Sequence, residues 1–205
     1  DKTLIPILKE TLADLDNVEV VNEDILKVDV QGLINEKLNG GPVKLVANLP
    51  YYITTPIVMK FLEEDIPVTD IVVMVQKEVA QRLCAQSHSK HYSPLTIRLH
   101  LVYDIYSKIQ VNKEKFNPVP KVESTVILLR PRTDKPIIKY PEIFNNIIDA
   151  AFAHRRKTLA NNFIPVLGKE KTKELENLSQ INFREREEVL EEKDFILLSE
   201  LVSSL

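Results

Sequence analysis

The stretch Asn48-Leu49-Pro50-Tyr51 directly follows an apolar, valine-rich run, Val43-Lys44-Leu45-Val46-Ala47. Such a run is typical of a buried parallel strand. In open α/β sheets, ligands bind outside the carboxyl ends of the strands. Pro50 fixes its own backbone and holds Leu49 extended, so the turn after the strand is stiff. The sequence therefore predicts an α/β fold in which the Asn48 amide, the Pro50 carbonyl and the Tyr51 ring point into one crevice.

These three groups suit an adenine base that has left its stack. The side-chain oxygen of Asn48 and the carbonyl of Pro50 can accept both hydrogens of the exocyclic N6 amine. The Tyr51 ring can stack on the base, which contributes about 1–3 kcal/mol. Accepting both hydrogens draws the N6 lone pair out of conjugation, so that it can attack a methyl-sulfonium carbon. The same residues are also compatible with an ordinary turn after a strand, with Tyr51 in the core.

Four stretches of the sequence, in the expected order, resemble the KsgA-type ribosomal RNA adenine dimethyltransferases. They are residues 21–26, 47–57, 116–124 and 151–159. The resemblance implies a Rossmann-like S-adenosylmethionine-dependent methyltransferase sheet in residues 1–132 and a small C-terminal helical domain in residues 133–205. It further implies dimethylation of adenine N6 at two adjacent adenosines near the 3′ end of small-subunit (16S) rRNA, during ribosome biogenesis in the cytoplasm.

The resemblance also implies the residues of the catalytic site. These are Asn48, Pro50 and Tyr51, together with Phe116 from the stretch Phe116-Asn117-Pro118-Val119-Pro120. In the family, the aromatic residue at this position covers the second face of the target base, so Tyr51 and Phe116 are expected to line one cavity. Phe116 is alternatively a core residue beneath the end of the sheet.

The expected cofactor is S-adenosyl-L-methionine, bound through Asp24, Ile25 and Asn48. In the stretch Val21-Asn22-Glu23-Asp24-Ile25-Leu26, the Asp24 carboxylate can accept the N6 hydrogens of the cofactor adenine. The Ile25 N–H can donate to the adenine ring nitrogen. The alternative for Asp24 is an Asx turn before a helix.

The expected partner is small-subunit rRNA within an immature 30S subunit, bound by a monomer. The candidate RNA-binding residues are Arg155, Arg156 and Lys157, which we expect at the end of a helix with an apolar stripe. Cations at this place either contact phosphates or only complement the helix dipole.

Local patterns predict the other main elements. A helix is expected over residues 3–15, with Thr3 as its N-cap, and a second helix over residues 30–38. The segment that begins at Ser93-Pro94 is ambiguous: its leucine and isoleucine residues at 95, 97, 99 and 101 alternate as in a strand, whereas the Ser-Pro start is typical of a helix. The family resemblance favours the helix. Further strands are expected at residues 18–21, 70–76, 105–111 and 125–129, the last two antiparallel.

Composition limits the function classes. With 44% hydrophobic and 28% charged residues among 205, the chain has the composition of an ordinary globular protein. Its net charge of −3 means that RNA binding must rely on local patches. The single Cys84 excludes an internal disulfide and fits a reducing compartment. We expect no metal site, because no Cys/His spacing suggests zinc, and no membrane span or signal peptide.

The sequence has only 4 glycines and no Gly-rich turn of the kind that binds nucleotides. Asp1-Lys2-Thr3-Leu4 resembles the residues just after the second strand of the family's sheet. We therefore expect the first strands and the glycine motif to precede residue 1, and residues 1–205 alone to be inactive.

Two alternatives stay open at this stage. An Erm-type methyltransferase acting on large-subunit rRNA shares the motifs around Asn48 and Phe116, although residues 152–159 favour the KsgA type. A non-catalytic RNA-binding or assembly factor can have the same fold, but intact Asn48 and Tyr51 argue against lost chemistry.

Overall fold

In a computed structural model of the chain, residues 2–64 and 66–205 are described, so Asp1 of the amino-terminal resemblance lies outside the described residues. The chain divides into two compact units. The first comprises Asp1–Val43 and Tyr52–Pro67, and the second comprises Lys44–Tyr51 and Val68–Leu205.

In its described residues, the first unit contains the helices α1 (Ile5–Thr11), α2 (Val30–Leu38) and α3 (Thr54–Glu63). The bounds of α2 are those predicted. The Asp29 side chain caps it by accepting the Gly32 N–H at 2.8 Å, and Asn39 ends it in the left-handed conformation, with φ of 52°. The buried apolar residues of this unit are Val28, Ile34, Ile57, Val58, Phe61 and Ile66.

Two predictions in this unit are wrong. Thr3 does not cap α1, because Leu4 already has helical backbone angles and is itself the N-cap, without a side-chain hydrogen bond. No strand forms at residues 18–21, where Val18, Val20 and Val21 are exposed. A strand needs a neighbouring strand to form hydrogen bonds with its backbone groups, and no described residue forms such a backbone bond with this segment.

A mixed four-stranded sheet, in the order β1-β2-β4-β3, organises the second unit. Its strands are β1 (Val43–Asn48), β2 (Val68–Gln76), β3 (Tyr103–Val111) and β4 (Ser124–Pro131). β4 pairs antiparallel with both β2 and β3, which confirms the predicted antiparallel pair of last strands. The Val43 N–H donates to Pro67 and the Leu49 N–H to Met74, so β1 and β2 run in the same direction.

The burial of β1 differs from the sequence prediction. Its residues alternate between half-buried and exposed, and Val46 is 72% exposed. Within the described sheet β1 is an edge strand that pairs only with β2, so one side of it has no covering strand.

Helices α4 (Lys77–Leu83) and α5 (Pro94–His100) connect β2 to β3. As predicted, α5 begins at Ser93-Pro94: the Ser93 hydroxyl accepts the Thr96 N–H at 3.3 Å, and Pro94 occupies the first helical position. Thr96 in turn donates its hydroxyl hydrogen to the carbonyl of Arg82, which ties α5 to α4.

The rest of the second unit is helical. It contains α6 (Pro141–Ala151), α7 (Leu159–Leu167), α8 (Lys169–Ser179) and α9 (Glu192–Val202). Their apolar faces share one core with Tyr92, Ile97 and Leu101, which come from α5 and the residues beside it. The domain boundary between residues 132 and 133 stays a prediction. No helix in residues 2–64 and 66–205 has the length and apolar character that crossing a bilayer requires.

Candidate active site

The sheet topology brings the termini of all four described strands to one end of the sheet. β1 and β2 end there, at Asn48 and Gln76, because they run in the same direction. β4 is antiparallel to β2 and therefore begins there, with Ser124 opposite Gln76. β3 ends there, with Val111 opposite Ser124. Segments far apart in the sequence thus meet beyond the carboxyl ends of β1 and β2, which is where α/β folds bind ligands.

The turn after β1 carries the predicted catalytic residues. Leu49 is buried, and its N–H donates to the Met74 carbonyl of β2 at 3.3 Å. This bond fixes the turn against the centre of the sheet. Asn48 and Pro50 on either side are exposed, and Tyr51 is half-buried at the start of a 3-10 turn.

Phe116 lies on the connector between β3 and β4, after the short 3-10 turn Lys113–Lys115. It is half-buried and has an extended backbone. Together with Asn48, Leu49, Pro50 and Tyr51 it lines a cleft of about 260 Å³. Tyr51 and Phe116 thus contribute to one cleft, as expected, and Phe116 is not a residue sealed in the core.

The Tyr51 ring is tied to a different strand from β1, which its turn follows. Its hydroxyl shares a hydrogen bond with the hydroxyl of Ser124, at 2.7 Å between the oxygens. The Ser124 side chain is fully buried at the start of β4. Ser124 ends the motif 116–124, but no local sequence signal pairs it with Tyr51, so sequence reasoning missed this contact.

An ion pair next to Ser124 stabilises the same end of the sheet. The Lys77 ammonium donates to Oε2 of Glu123 at 2.6 Å, and the Lys77 N–H donates to the Glu123 carbonyl at 3.0 Å. The hydrogen bond from Lys77 lowers the pKa of the Glu123 carboxyl below its usual value. The beginning of β4 is thereby attached to the end of β2 by side chain and backbone together.

The cleft offers an unpaired amide beside two aromatic rings. Among the described residues, no hydrogen bond engages the side chain of Asn48. Its oxygen can therefore accept an amine hydrogen from a base that lies against the Tyr51 and Phe116 rings. No group of His, Cys, Asp or Glu in the described ranges 2–64 and 66–205 is arranged to hold a metal ion.

The predicted cofactor residues Asp24 and Ile25 lie in the first unit, on an exposed turn before α2. Oδ1 of Asp24 accepts the Leu26 N–H at 3.0 Å, which is the Asx turn considered above. This bond occupies one carboxylate oxygen. No described residue bonds the second oxygen or the Ile25 N–H, so an acceptor and a donor are both still available on this turn.

The basic cluster Arg155-Arg156-Lys157 does not end a helix, contrary to prediction. α6 ends at Ala151, and the cations lie in the turns that follow. Arg155 donates to the carbonyls of Lys90 and Tyr92 at 3.0 and 2.7 Å. The side chains of Arg156 and Lys157 are exposed and form no ion pair with any described residue.

Comparisons with known proteins agree with this geometry. The family model described as ribosomal RNA adenine dimethylase matches residues 1–203. A Clostridioides difficile protein named ribosomal RNA small subunit methyltransferase A is 51% identical over 100% of the chain and 72% of its own length. A Bacillus licheniformis protein of the same name is 42% identical over 98% of the chain and 71% of its own length.

Two solved structures share the fold. One is a dimethyladenosine transferase from Plasmodium falciparum, with a TM-score of 0.74 at 25% identity, covering 97% of this chain and 78% of that one. The other is the 23S rRNA methyltransferase ErmE, also with a TM-score of 0.74, at 21% identity, covering 99% of this chain and 79% of that one. The fold is therefore the Rossmann-like methyltransferase fold, and the chain belongs to the ribosomal RNA adenine dimethylase family.

Proposed function

We propose that this protein dimethylates adenine N6 at two adjacent adenosines near the 3′ end of small-subunit rRNA, with S-adenosylmethionine as the methyl donor. The observation that carries the proposal is the cleft where the unpaired amide of Asn48 meets Tyr51 and Phe116. Family membership supports methyl transfer to rRNA adenine, and the names of the 51% and 42% identical relatives support the small subunit.

The target base must leave its stack to enter the cleft. Tyr51 and Phe116 then offset part of the unstacking cost by contacting the base, at about 1–3 kcal/mol per stacked base. Asn48 accepts one N6 hydrogen and, in our proposal, the Pro50 carbonyl accepts the other. Both contacts favour a pyramidal nitrogen whose lone pair points away from the ring.

The chain's residues fit the adenine part of the cofactor, which supplies an electrophilic methyl group on a sulfonium sulfur. The second Asp24 oxygen can accept from the cofactor's amine, and the Ile25 N–H can donate to its ring nitrogen. Within the second unit, Asn48 at the end of β1 is proposed separately as a cofactor-binding residue. At the target base, the N6 lone pair would form the new N–C bond with the methyl group that the cofactor would supply, the sulfur would keep the electron pair of the S–C bond, and N6 would lose a proton to solvent. A second transfer completes the dimethylated amine.

Positioning is the chemical contribution of the protein in this scheme. A bound base held at the correct distance and angle reacts far faster than free reactants. We propose that the protein acts as a monomer on immature small subunits in the cytoplasm, with the exposed Arg156 and Lys157 contacting phosphates.

The proposal is tested by methyl transfer in vitro. Full-length protein is incubated with tritiated S-adenosylmethionine and either small subunits lacking the modification or large subunits, and the RNA is then digested to nucleosides. We expect label in N6,N6-dimethyladenosine from the small subunit only. Label confined to the large subunit would support an Erm-type enzyme, and RNA binding without any transfer would support an assembly factor.

A further inference from the structure

We propose that Ser124 is a positioning residue for the reaction: its hydroxyl holds the Tyr51 ring at the angle at which a stacked adenine presents N6 to the methyl donor. The inference rests on the proposed function, because it concerns the rate of methyl transfer to a base bound in that cleft. The observation that supports it is the 2.7 Å hydrogen bond between the hydroxyls of Tyr51 and Ser124.

The two ends of this bond differ in their environment. Ser124 is 0% exposed, whereas Tyr51 is half-buried and borders the cleft. In this arrangement the serine hydroxyl is shielded from water, so a ring that rotates without opening the site to solvent leaves a buried polar group unpaired. The hydroxyl of the Tyr51 ring is therefore held by a buried serine hydroxyl, for which loss of this hydrogen bond is unfavourable.

The strands on both sides of Ser124 make it a fixed anchor. It pairs with Gln76 of β2 and with Val111 of β3, so both of its neighbouring strands limit its movement. The two bonds between Lys77 and the adjacent Glu123 add a further attachment. An anchor within a paired central strand gives the precision that a loop residue lacks.

The Tyr51 ring needs such an anchor because its own segment is a turn. Asn48 and Tyr51 lie on the same turn, and the backbone of this turn is fixed at Leu49 by the bond to Met74. The ring plane, however, also depends on rotation about the side-chain bonds of Tyr51. The bond to Ser124 ties the far end of the ring to β4 and fixes this rotation relative to the Asn48 amide.

The kinetic consequence follows from what the ring orientation controls. A tilted ring still offers apolar contact, and the RNA keeps its contacts elsewhere, so substrate binding changes little. The N6 atom, however, is displaced from its line of attack, and a misplacement of about 1 Å can lower a rate by about 100-fold. Losing the bond should therefore lower kcat rather than raise KM.

The test is a double-mutant cycle with Ser124→Ala, Tyr51→Phe and the double variant. Each single change removes the same hydrogen bond, and Tyr51→Phe does so without changing the side chain at the buried position 124. We expect each to lower kcat about 10-fold, with the KM for RNA within about twofold of wild type. The double variant should be no slower than the slower single variant, because the bond can be removed only once.

Tyr52→Phe is the matched control. It removes a phenol hydroxyl at the next position, where the side chain is 84% exposed, and should leave kcat unchanged. The inference is overturned if either single variant has the wild-type kcat, if the two losses multiply in the double variant, or if KM rises at constant kcat.

Tyr51→Ala separates this inference from the proposed function. If wild type methylates adenine N6 and Tyr51→Ala does not, while Ser124→Ala equals wild type, only the positioning role of Ser124 fails. If wild-type protein transfers no methyl group to small-subunit adenine, the proposed function itself fails.

Discussion

At the scale of single residues, the end of β1 exposes one side chain and buries the next. Asn48 is exposed and engages no described residue through its side chain, whereas the neighbouring Leu49 is buried and bonded to β2. The turn thus places a structural residue, Leu49, next to the residue for which we propose a functional role, Asn48. An exposed amide without an intramolecular bond contributes little to folding, so its role can be tested without unfolding the protein.

Asn48→Ala should abolish most activity and preserve the fold. By analogy with the loss of one polar contact to a transition state, we expect kcat to fall by about 100-fold or more. The melting temperature should stay within about 1 °C of wild type, because exposed positions contribute little to stability. Tritiated methyl transfer and thermal unfolding measure the two quantities.

Asn177→Ala is the control for this change, since Asn177 is an exposed asparagine on α8. It should retain full activity. Near-normal turnover by Asn48→Ala would contradict the proposed bond between Asn48 and N6, and a large loss of stability would mean that Asn48 has a structural role.

A polar contact between α5 and α9 gives a pH-dependent stability. The His100 ring lies between Oε1 of Glu192, at 3.3 Å from Nδ1, and the Leu83 carbonyl, at 3.1 Å from Nε2. The hydrogen bond from His100 lowers the pKa of Glu192 below its usual 4.5, and it outweighs partial burial, which acts in the opposite direction. Because this pKa is lower in the folded than in the unfolded state, ionised Glu192 stabilises the fold above its usual pKa. That stabilisation is lost as the pH falls through the folded pKa.

Glu192→Gln should therefore lower the melting temperature at pH 5.5 more than at pH 3.5. We expect a difference of about 2 °C at pH 5.5, small because the carboxylate is partly exposed to solvent. Glu170→Gln on α8 is the control, and a difference that is constant with pH would contradict this linkage.

At the scale of elements, the segment after α6 combines two roles. Arg155 donates to the carbonyls of Lys90 and Tyr92 and lies 3.8 Å from the buried Glu187. It therefore attaches the loop before α5 to the helical core. Arg156 and Lys157 form no such contacts with described residues and remain available to bind phosphates.

We predict that Arg156→Gln with Lys157→Gln weakens RNA binding without lowering stability. Removing one phosphate contact should reduce the slope of log affinity against log salt by about 0.7 for single-stranded RNA, by analogy with DNA, and removing two should reduce it by about 1.4. Arg155→Gln should mainly lower the melting temperature, because it frees two carbonyls of the loop.

Lys169→Gln with Lys171→Gln on α8 removes the same charge from exposed positions outside this segment. This control should leave the salt slope unchanged. An unchanged slope for the Arg156 and Lys157 variant as well would mean that these cations are not part of the RNA interface.

At the scale of the whole molecule, local patterns predicted the elements whose signals are local. α2 is an example, because the residues that begin and end it, Asp29 and Asn39, directly flank the helix in the sequence. The antiparallel pairing of β3 and β4 was likewise predicted from two β-branched runs around a proline-rich connector. The placing of Phe116 beside Tyr51 came from family resemblance and not from a pattern.

The features that sequence reasoning missed depend on non-local partners. The segment at residues 18–21 has a strand-like composition, but a strand also requires a neighbour, and no described residue provides one. The exposure of Val46 depends on which strands cover β1. The bond between Tyr51 and Ser124 joins the turn after β1 to β4, and β2 lies between these two strands, so neither local sequence predicts it.

The central claim is that this protein places two methyl groups on adenine N6 in small-subunit rRNA. Mass spectrometry of nucleosides from separated small- and large-subunit rRNA tests it most directly, in cells that lack the gene and carry wild type or Asn48→Ala. We predict that deletion removes N6,N6-dimethyladenosine from the small subunit only, and that wild type but not Asn48→Ala restores it. Unchanged dimethyladenosine in the deletion strain, or a loss confined to the large subunit, would contradict the account.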